Sequence, residues 1–427
     1  MRSYAHRPSL WRTVALIGTA ALGTTLIAPA STAAAAGSGP GTLVLAGGAV
    51  AATNTAVYGT FVAKAGGSSA RIGVVTAASD VPANDPNAND PAKCSNSVCN
   101  GAYYADLLKS GFGAADAQWI PIDLDHLANS SSRTVVDQIN SMTGFFFGGG
   151  DQSRLVTTLM KSDNADTPAL AAIRAKWTAG AAVMGTSAGT TIANGRDMVT
   201  GGESWDALRY GSYTTPSTTY PDDLTYRPAG GFNFFASGLL DTHFAARGRQ
   251  GRMVRLAADT GHNRAFGVDE DTALVVDSPG TTGETTTVVG SGGVSVLDLR
   301  SATTGTSGGY WAVDNVKWSY LTSGDTYNPA TWTAASTKAA YAPTTGTVGT
   351  RWSDIFSSPE PNTAHPNQMV KMATELANAG RSTTQYGISY ESGPRFEADL
   401  TKNSDYKAWK SGTTVSFANL TTHLYVY

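Results

Sequence analysis

Short apolar runs alternate with segments of helical spacing through the first half of the chain. Residues 41–48 form an apolar run ending in Gly-Gly, which predicts a buried strand followed by a turn. Residues 71–77 repeat the pattern with β-branched side chains, and 118–122, 145–147 and 181–184 read as further strands. Between them, 102–110, 131–141, 153–161 and 169–178 carry helical spacing. Strands alternating with helices predict an α/β fold, a parallel sheet with helices on both faces. Residues 201–236 break the rhythm, being rich in Gly, Thr, Tyr and Pro, and read as an inserted surface loop near the site. Beyond Thr260 the pattern becomes short strands at 265–268, 272–276, 285–289 and 294–297. A Gly/Thr/Ser-rich stretch at 301–309 marks a boundary. Residues 310–427 contain one clear helix at 367–379 and finish in strands, as an accessory module or as additions to the main sheet.

The first residues read differently. Arg2, Arg7 and Arg12 precede an apolar run at 14–27, followed by Pro29 and a small-residue tract at 30–37. A basic start, an apolar middle of about 14 residues and small residues at A-x-A spacing predict a secretory signal peptide, the run being short of the ~20 residues that span a bilayer. The expected organisation is a signal peptide over 1–36, a catalytic domain over 37–300 and a C-terminal extension over 301–427. Export agrees with the two cysteines, Cys94 and Cys99, which sit in a polar loop and are expected to form a local disulfide. No further ligands near them suggest a metal site.

Composition narrows the function. Charged residues are 15% of the 427, against roughly 25% in an average globular protein, and the net charge is -3. That balance argues against a nucleic-acid binder and against a disordered chain. In so charge-poor a sequence, a local cluster of charge is informative.

Gly185-Thr186-Ser187-Ala188-Gly189 has the G-x-S-x-G form, with a strand before it and helix-compatible sequence after it. A serine on so tight a strand-to-helix turn needs small neighbours. Its Oγ projects free of the sheet while the following N–H and the helix start favour an oxyanion. A nucleophilic serine needs a base and an orienting acid. His243 ends the apolar stretch 238–244, at the C-terminal edge of a strand, where α/β sites assemble. Asp269-Glu270-Asp271 follows the strand 265–268 and offers either the acid or a solvated turn. Arg247, Arg249 and Arg252 come just after His243, and guanidinium groups of this kind grip carboxylates or make surface ion pairs.

Four segments together resemble cyanophycinase and the related S51 serine peptidases. They are Phe147-Gly-Gly-Gly-Asp-Gln152, Gly185 to Gly189, Asp241-Thr-His-Phe-Ala-Ala-Arg-Gly-Arg-Gln-Gly-Arg252 and Gly267-Val-Asp-Glu-Asp-Thr-Ala273, in the family's order over about residues 41–300. The resemblance implies a three-layer sandwich with a mostly parallel sheet, similar to class I glutamine amidotransferase domains. It implies Ser187 as nucleophile, His243 as general base and Glu270 as the orienting acid. Oxyanion donors would be backbone N–H groups at Gly149, Gly150 and Ala188. Substrate would meet Gln152, Asp241, Thr242, Arg247, Arg249 and Arg252. The implied reaction is cleavage of cyanophycin, an aspartate backbone carrying arginine on its β-carboxyls, to β-aspartyl-arginine dipeptides, with no metal or organic cofactor. The resemblance also suggests a homodimer. Neither nucleic acid nor, after leader removal, a membrane is expected as partner.

One departure stands out: the family has Gln before the histidine, and this chain has Thr242. That motivates a second reading, an exopeptidase or dipeptidase for other aspartyl peptides. An ordinary α/β-hydrolase would order its triad Ser, acid, His, for which Ser187, Asp277 and His365 qualify. A non-catalytic secreted binding protein on the same scaffold is the remaining alternative.

Overall fold

The computed structural model describes residues 39–357 and 365–427. The signal peptide expected over 1–36 lies outside the described residues.

The expected parallel core is present. Strands β1 (Leu43–Ala46), β2 (Arg71–Val75), β3 (Asp116–Trp119), β4 (Gly144–Phe147) and β5 (Ala182–Thr186) pair in parallel in the order β1-β5-β4-β2-β3. Every residue of β1, β4 and β5 is buried, as a sheet covered on both faces requires. One face packs on Val57, Phe61, Val62 and Leu108. The other takes Val135 and Ile139, Leu155 and Leu159, and Leu170 and Ile173 from three amphipathic helices, Arg133–Asn140, Gln152–Leu159 and Pro168–Thr178. Asp151 and Thr167 cap two of these through their side chains. Antiparallel strands Thr272–Asp277, Thr285–Gly290, Thr326–Asn328 and Thr333–Ala335 extend the sheet beyond β1 to nine strands.

A second, ten-stranded sheet begins at Leu239–Asp241 and runs through Arg264–Val268, Gly293–Asp298, Tyr310–Thr322 and Thr414–Val426. Residues beyond 301 are thus built onto strands that precede 301. The helix Gln368–Asn378 lies where the sequence places one, and its buried face joins the core around Trp318, Phe396 and Phe417.

Residues 201–236 differ from the expected loop. They hold a helix, Ser204–Tyr210, and most of a small sheet formed by Met198–Gly201, Ser212–Tyr213 and Leu224–Arg227. Ala207, Leu208 and Leu224 are buried against Phe244, Met253 and Leu256, too few apolar positions to show a period among the surrounding Gly, Thr and Tyr. The arginine segment opens the helix Gln250–Thr260, whose first turn is buried and not solvated.

Candidate active site

β5 ends in the serine turn. Ser187 has φ 54° and ψ −121°, a strained conformation for a non-glycine residue, and caps the short helix Ala188–Thr191. The flanking glycines are required by contact: a Cβ on Gly185 would lie 2.1 Å from the Gly189 carbonyl oxygen, and one on Gly189 would lie 2.1 Å from that of Phe147. The second sheet delivers the base. His243 follows Leu239–Asp241 with φ 48°, and its Nε2 lies 2.8 Å from Ser187 Oγ. Its Nδ1 lies 2.7 Å from Glu270 Oε1. With Nδ1–H donating to the carboxylate, Nε2 is the free acceptor for the serine proton.

The three segments meet at the end of β1. Ser187 N–H donates to the Ala46 carbonyl at 3.1 Å, His243 N–H to that of Gly47 at 2.8 Å, and Asp271 N–H to that of Gly48 at 2.9 Å. Three consecutive carbonyls therefore set the relative heights of nucleophile, base and acid. The sequence shows only a Gly-Gly turn here, and the role depends on pairings hundreds of residues apart.

The Asp269-Glu270-Asp271 run divides three tasks. Glu270 faces the imidazole. Asp271 accepts from Asn54, Ala51 N–H and Ser291. Asp269 is buried and accepts from Ala245 N–H, Gly293 N–H and the Tyr320 hydroxyl, the last at 2.6 Å. Burial pushes the Asp269 carboxyl up to about 6, against the pull of those bonds.

Charge tunes the base. Burial lowers the His243 pKa to about 4, opposed by the bond to Glu270 and reinforced by Arg247 and Arg249. The bond from His243 holds the Glu270 carboxyl below its ordinary value, with Arg247 and Arg249 assisting. The imidazole is neutral near pH 7, as a general base must be.

Of the expected oxyanion positions, Gly149 and Ala188 adjoin Ser187, while Gly150 packs against Ala78. The glycine turn is anchored on both sides, by Gly148 N–H to the Val75 carbonyl and Asp151 N–H to that of Ala78, and Gly149 lies beside Ser187. Ala188 follows the serine at the helix start. Cys94 and Cys99 Sγ lie at bonding distance, 2.14 Å, and Asn100, the residue after them, donates to Ser79 Oγ, which donates to the Gly149 carbonyl of this turn.

The substrate-binding expectations separate. Arg247 is exposed and within electrostatic reach of His243 and Glu270. Gln152 is half-buried and donates to the Val199 carbonyl at 3.0 Å. Arg249 donates to the Thr242 carbonyl at 2.8 Å, and burial beside Arg252 lowers its pKa to about 9. Asp241 and Arg252 require correction. Their side chains are 1% and 4% exposed and form a two-pronged pair at 2.8 and 2.7 Å, so each satisfies the other instead of meeting substrate. Thr242 is also buried, with Oγ1 facing Thr191. The alternative triad fails on geometry. Asp277 belongs to the end of its strand level with the start of β1, opposite Ser187, and is held by Thr42 and Lys64.

The sequence pattern of peptidase family S51 matches residues 100–282, which include Ser187, His243 and Glu270. A cyanophycinase of a Nostoc species is 28% identical over 245 residues, 57% of this chain and 68% of that protein. One of Thermosynechococcus vestitus is 28% identical over 278 residues, 63% of this chain and 73% of that protein. A solved peptidase of an acI-B1 actinobacterium aligns with TM-score 0.44 and 18% identity, over 68% of this chain and 98% of its own. The family pattern thus runs through all three members of the Ser-His-Glu relay, and over residues 100–282 the chain is similar to a peptidase of family S51.

Proposed function

We propose that this is an exported serine-type exopeptidase that hydrolyses cyanophycin, or a closely related β-linked aspartyl peptide, through an acyl-enzyme. The observation that carries the mechanism is the continuous relay Ser187 Oγ, His243 and Glu270, with links of 2.8 and 2.7 Å on a strained turn. Ser187 attacks the carbonyl carbon as His243 takes its proton, and the oxyanion forms toward the N–H groups of Gly149, Gly150 and Ala188. The amine then leaves with the proton from His243, and water, deprotonated by the same imidazole, releases the acid product.

Cyanophycin as substrate is supported by the names of the relatives and by the exposed Arg247 beside the base, suited to a carboxylate-bearing peptide. Export is supported by the leader-like first residues and by the paired cysteines. The test is incubation of the purified enzyme with cyanophycin. Release of β-aspartyl-arginine by the wild type, abolished in Ser187→Ala, is expected; no release by the wild type, with free aspartyl dipeptides cleaved instead, would replace the substrate assignment.

A further inference from the structure

The carboxylate expected beside the arginine cluster, Asp241, is consumed by Arg252. A different one, Glu203, lies next to residues that are bonded to the arginine segment. Glu203 precedes the helix Ser204–Tyr210, and both of its neighbours are fastened to the arginine segment. Arg252 donates to the Gly202 carbonyl. Ser204 Oγ donates to the Gly248 carbonyl at 2.6 Å and accepts from Arg252 N–H at 3.0 Å. Glu203 N–H itself donates to the Asp222 carbonyl at 2.9 Å. The Glu203 carboxyl thereby lies within electrostatic reach of Arg247, Arg249 and Arg252, two of which act directly on His243; burial raises its pKa against their pull, and it makes no hydrogen bond or ion pair among the described residues.

Behind Glu203 the negative charge continues. Burial, with Asp222, Asp223 and Glu391 acting on it, pushes the Asp206 carboxyl up to about 7. Asp223 is only 8% exposed, and its Oδ1 has no hydrogen-bond partner among the described residues. Arg209, the cation of this helix, is stacked over Trp205 and Tyr210 at 4.8 and 4.7 Å. No three carboxylates among the described residues converge as a metal ion needs. A carboxyl group with no partner of its own is suited to an organic cation that can donate hydrogen bonds to it.

We propose that Glu203 is a specificity-determining residue that receives the guanidinium side chain of the substrate residue joined to aspartate, while the exposed Arg247 receives that residue's carboxylate. This rests on the peptidase reading of the same cleft and adds the side-chain selectivity. A charge-assisted hydrogen bond formed away from bulk water predicts a preference on the order of tenfold or more for a guanidinium over the isosteric, neutral ureido group of citrulline.

The test uses two readouts on the full chain. The first is kcat/KM for a β-aspartyl-arginine peptide against its citrulline counterpart. The second is protection of Ser187 from a fluorophosphonate by the two product dipeptides, which needs no turnover. The wild type should favour arginine in both, Glu203→Gln should bring the ratio close to one, and Glu203→Asp should restore part of it. Equal protection by the two dipeptides in the wild type, or an unchanged ratio in Glu203→Gln, overturns the assignment. If neither peptide is cleaved but protection still discriminates through Glu203, the site assignment stands and the hydrolytic substrate is what fails.

Discussion

Gly48 shows how little room the catalytic histidine has. A Cβ built there would lie 2.3 Å from Cε1 and 2.4 Å from Nε2 of His243, at a backbone φ of 101°. Gly48→Ala must displace the ring from Ser187 while the Gly47 carbonyl still holds the His243 backbone. The expected result is a loss of kcat of about a hundredfold with a native circular-dichroism spectrum, since an ångström of misplacement carries a cost of that order. The protonation of the same ring is also testable. A base whose pKa is lowered to about 4 stays neutral, and active, until the pH falls toward that value. The acid limb of kcat/KM should therefore lie well below the 6.5 of an ordinary imidazole. Burial is the largest cause, and Arg247 adds to it by opposing a positive ring. Arg247→Gln relieves that opposition, so the limb should move to higher pH. An unmoved limb would mean that Arg247 acts on substrate alone.

The insert, the strand Leu239–Asp241 and the helix Gln250–Thr260 meet at Arg252, which pairs with buried Asp241 and donates to the Gly202 carbonyl. Burial alone would raise the Asp241 carboxyl, but Arg252 and Arg249 outweigh it and hold the group below its ordinary value. Arg252→Ala leaves that carboxylate buried and largely uncompensated, and frees Gly202 from its anchor. Urea unfolding should show a loss of about 3–5 kcal/mol. Replacing both partners with apolar residues of similar size should recover most of this stability, yet leave activity reduced because Gly202 and the adjoining Glu203 are no longer held. Much of this arrangement was legible beforehand, and the reasons are physical. Ser187 announces itself because a strand, a tight turn and a helix leave a local signature of small residues. His243 and Glu270 each end a recognisable strand. Asp241 and Arg252 lie in the same informative segment, but whether they meet each other or a ligand depends on a cross-helix geometry that spacing does not encode. Glu203 was invisible because its segment carries no periodicity, and its importance comes from Arg252 and Ser204 clamping the residues beside it.

The residues beyond 301 bear on the catalytic centre directly, which makes the independence of the first three hundred residues an experimental question. The Lys317–Thr322 part of the strand Tyr310–Thr322 pairs with Gly293–Asp298, and Tyr320 reaches from it to Asp269, the neighbour of Glu270. Asn367 N–H donates to the Ala245 carbonyl two residues beyond His243, and the Phe356 carbonyl packs on Gly248. Trp318, Phe396 and Phe417 share one core with Phe244, Met253 and Leu256. A chain ended after Arg300 would expose the edge of Gly293–Asp298 and the apolar face of the helix behind the arginine cluster. It should lack a cooperative unfolding transition and aggregate, as unpaired strand edges do. Because aggregation alone cannot separate lost folding from a lost catalytic contact, Tyr320→Phe isolates the second. Removing its hydroxyl deprives buried Asp269 of one donor, at a cost of about 1–3 kcal/mol. Since Asp269 also holds Ala245 N–H, the loop carrying His243 should loosen. The variant should therefore fold, melt at a lower temperature and lose kcat more than KM. A soluble fragment 39–300 labelled by fluorophosphonate as fast as the full chain, together with an unchanged kcat in Tyr320→Phe, would show that the C-terminal strands serve something other than the triad.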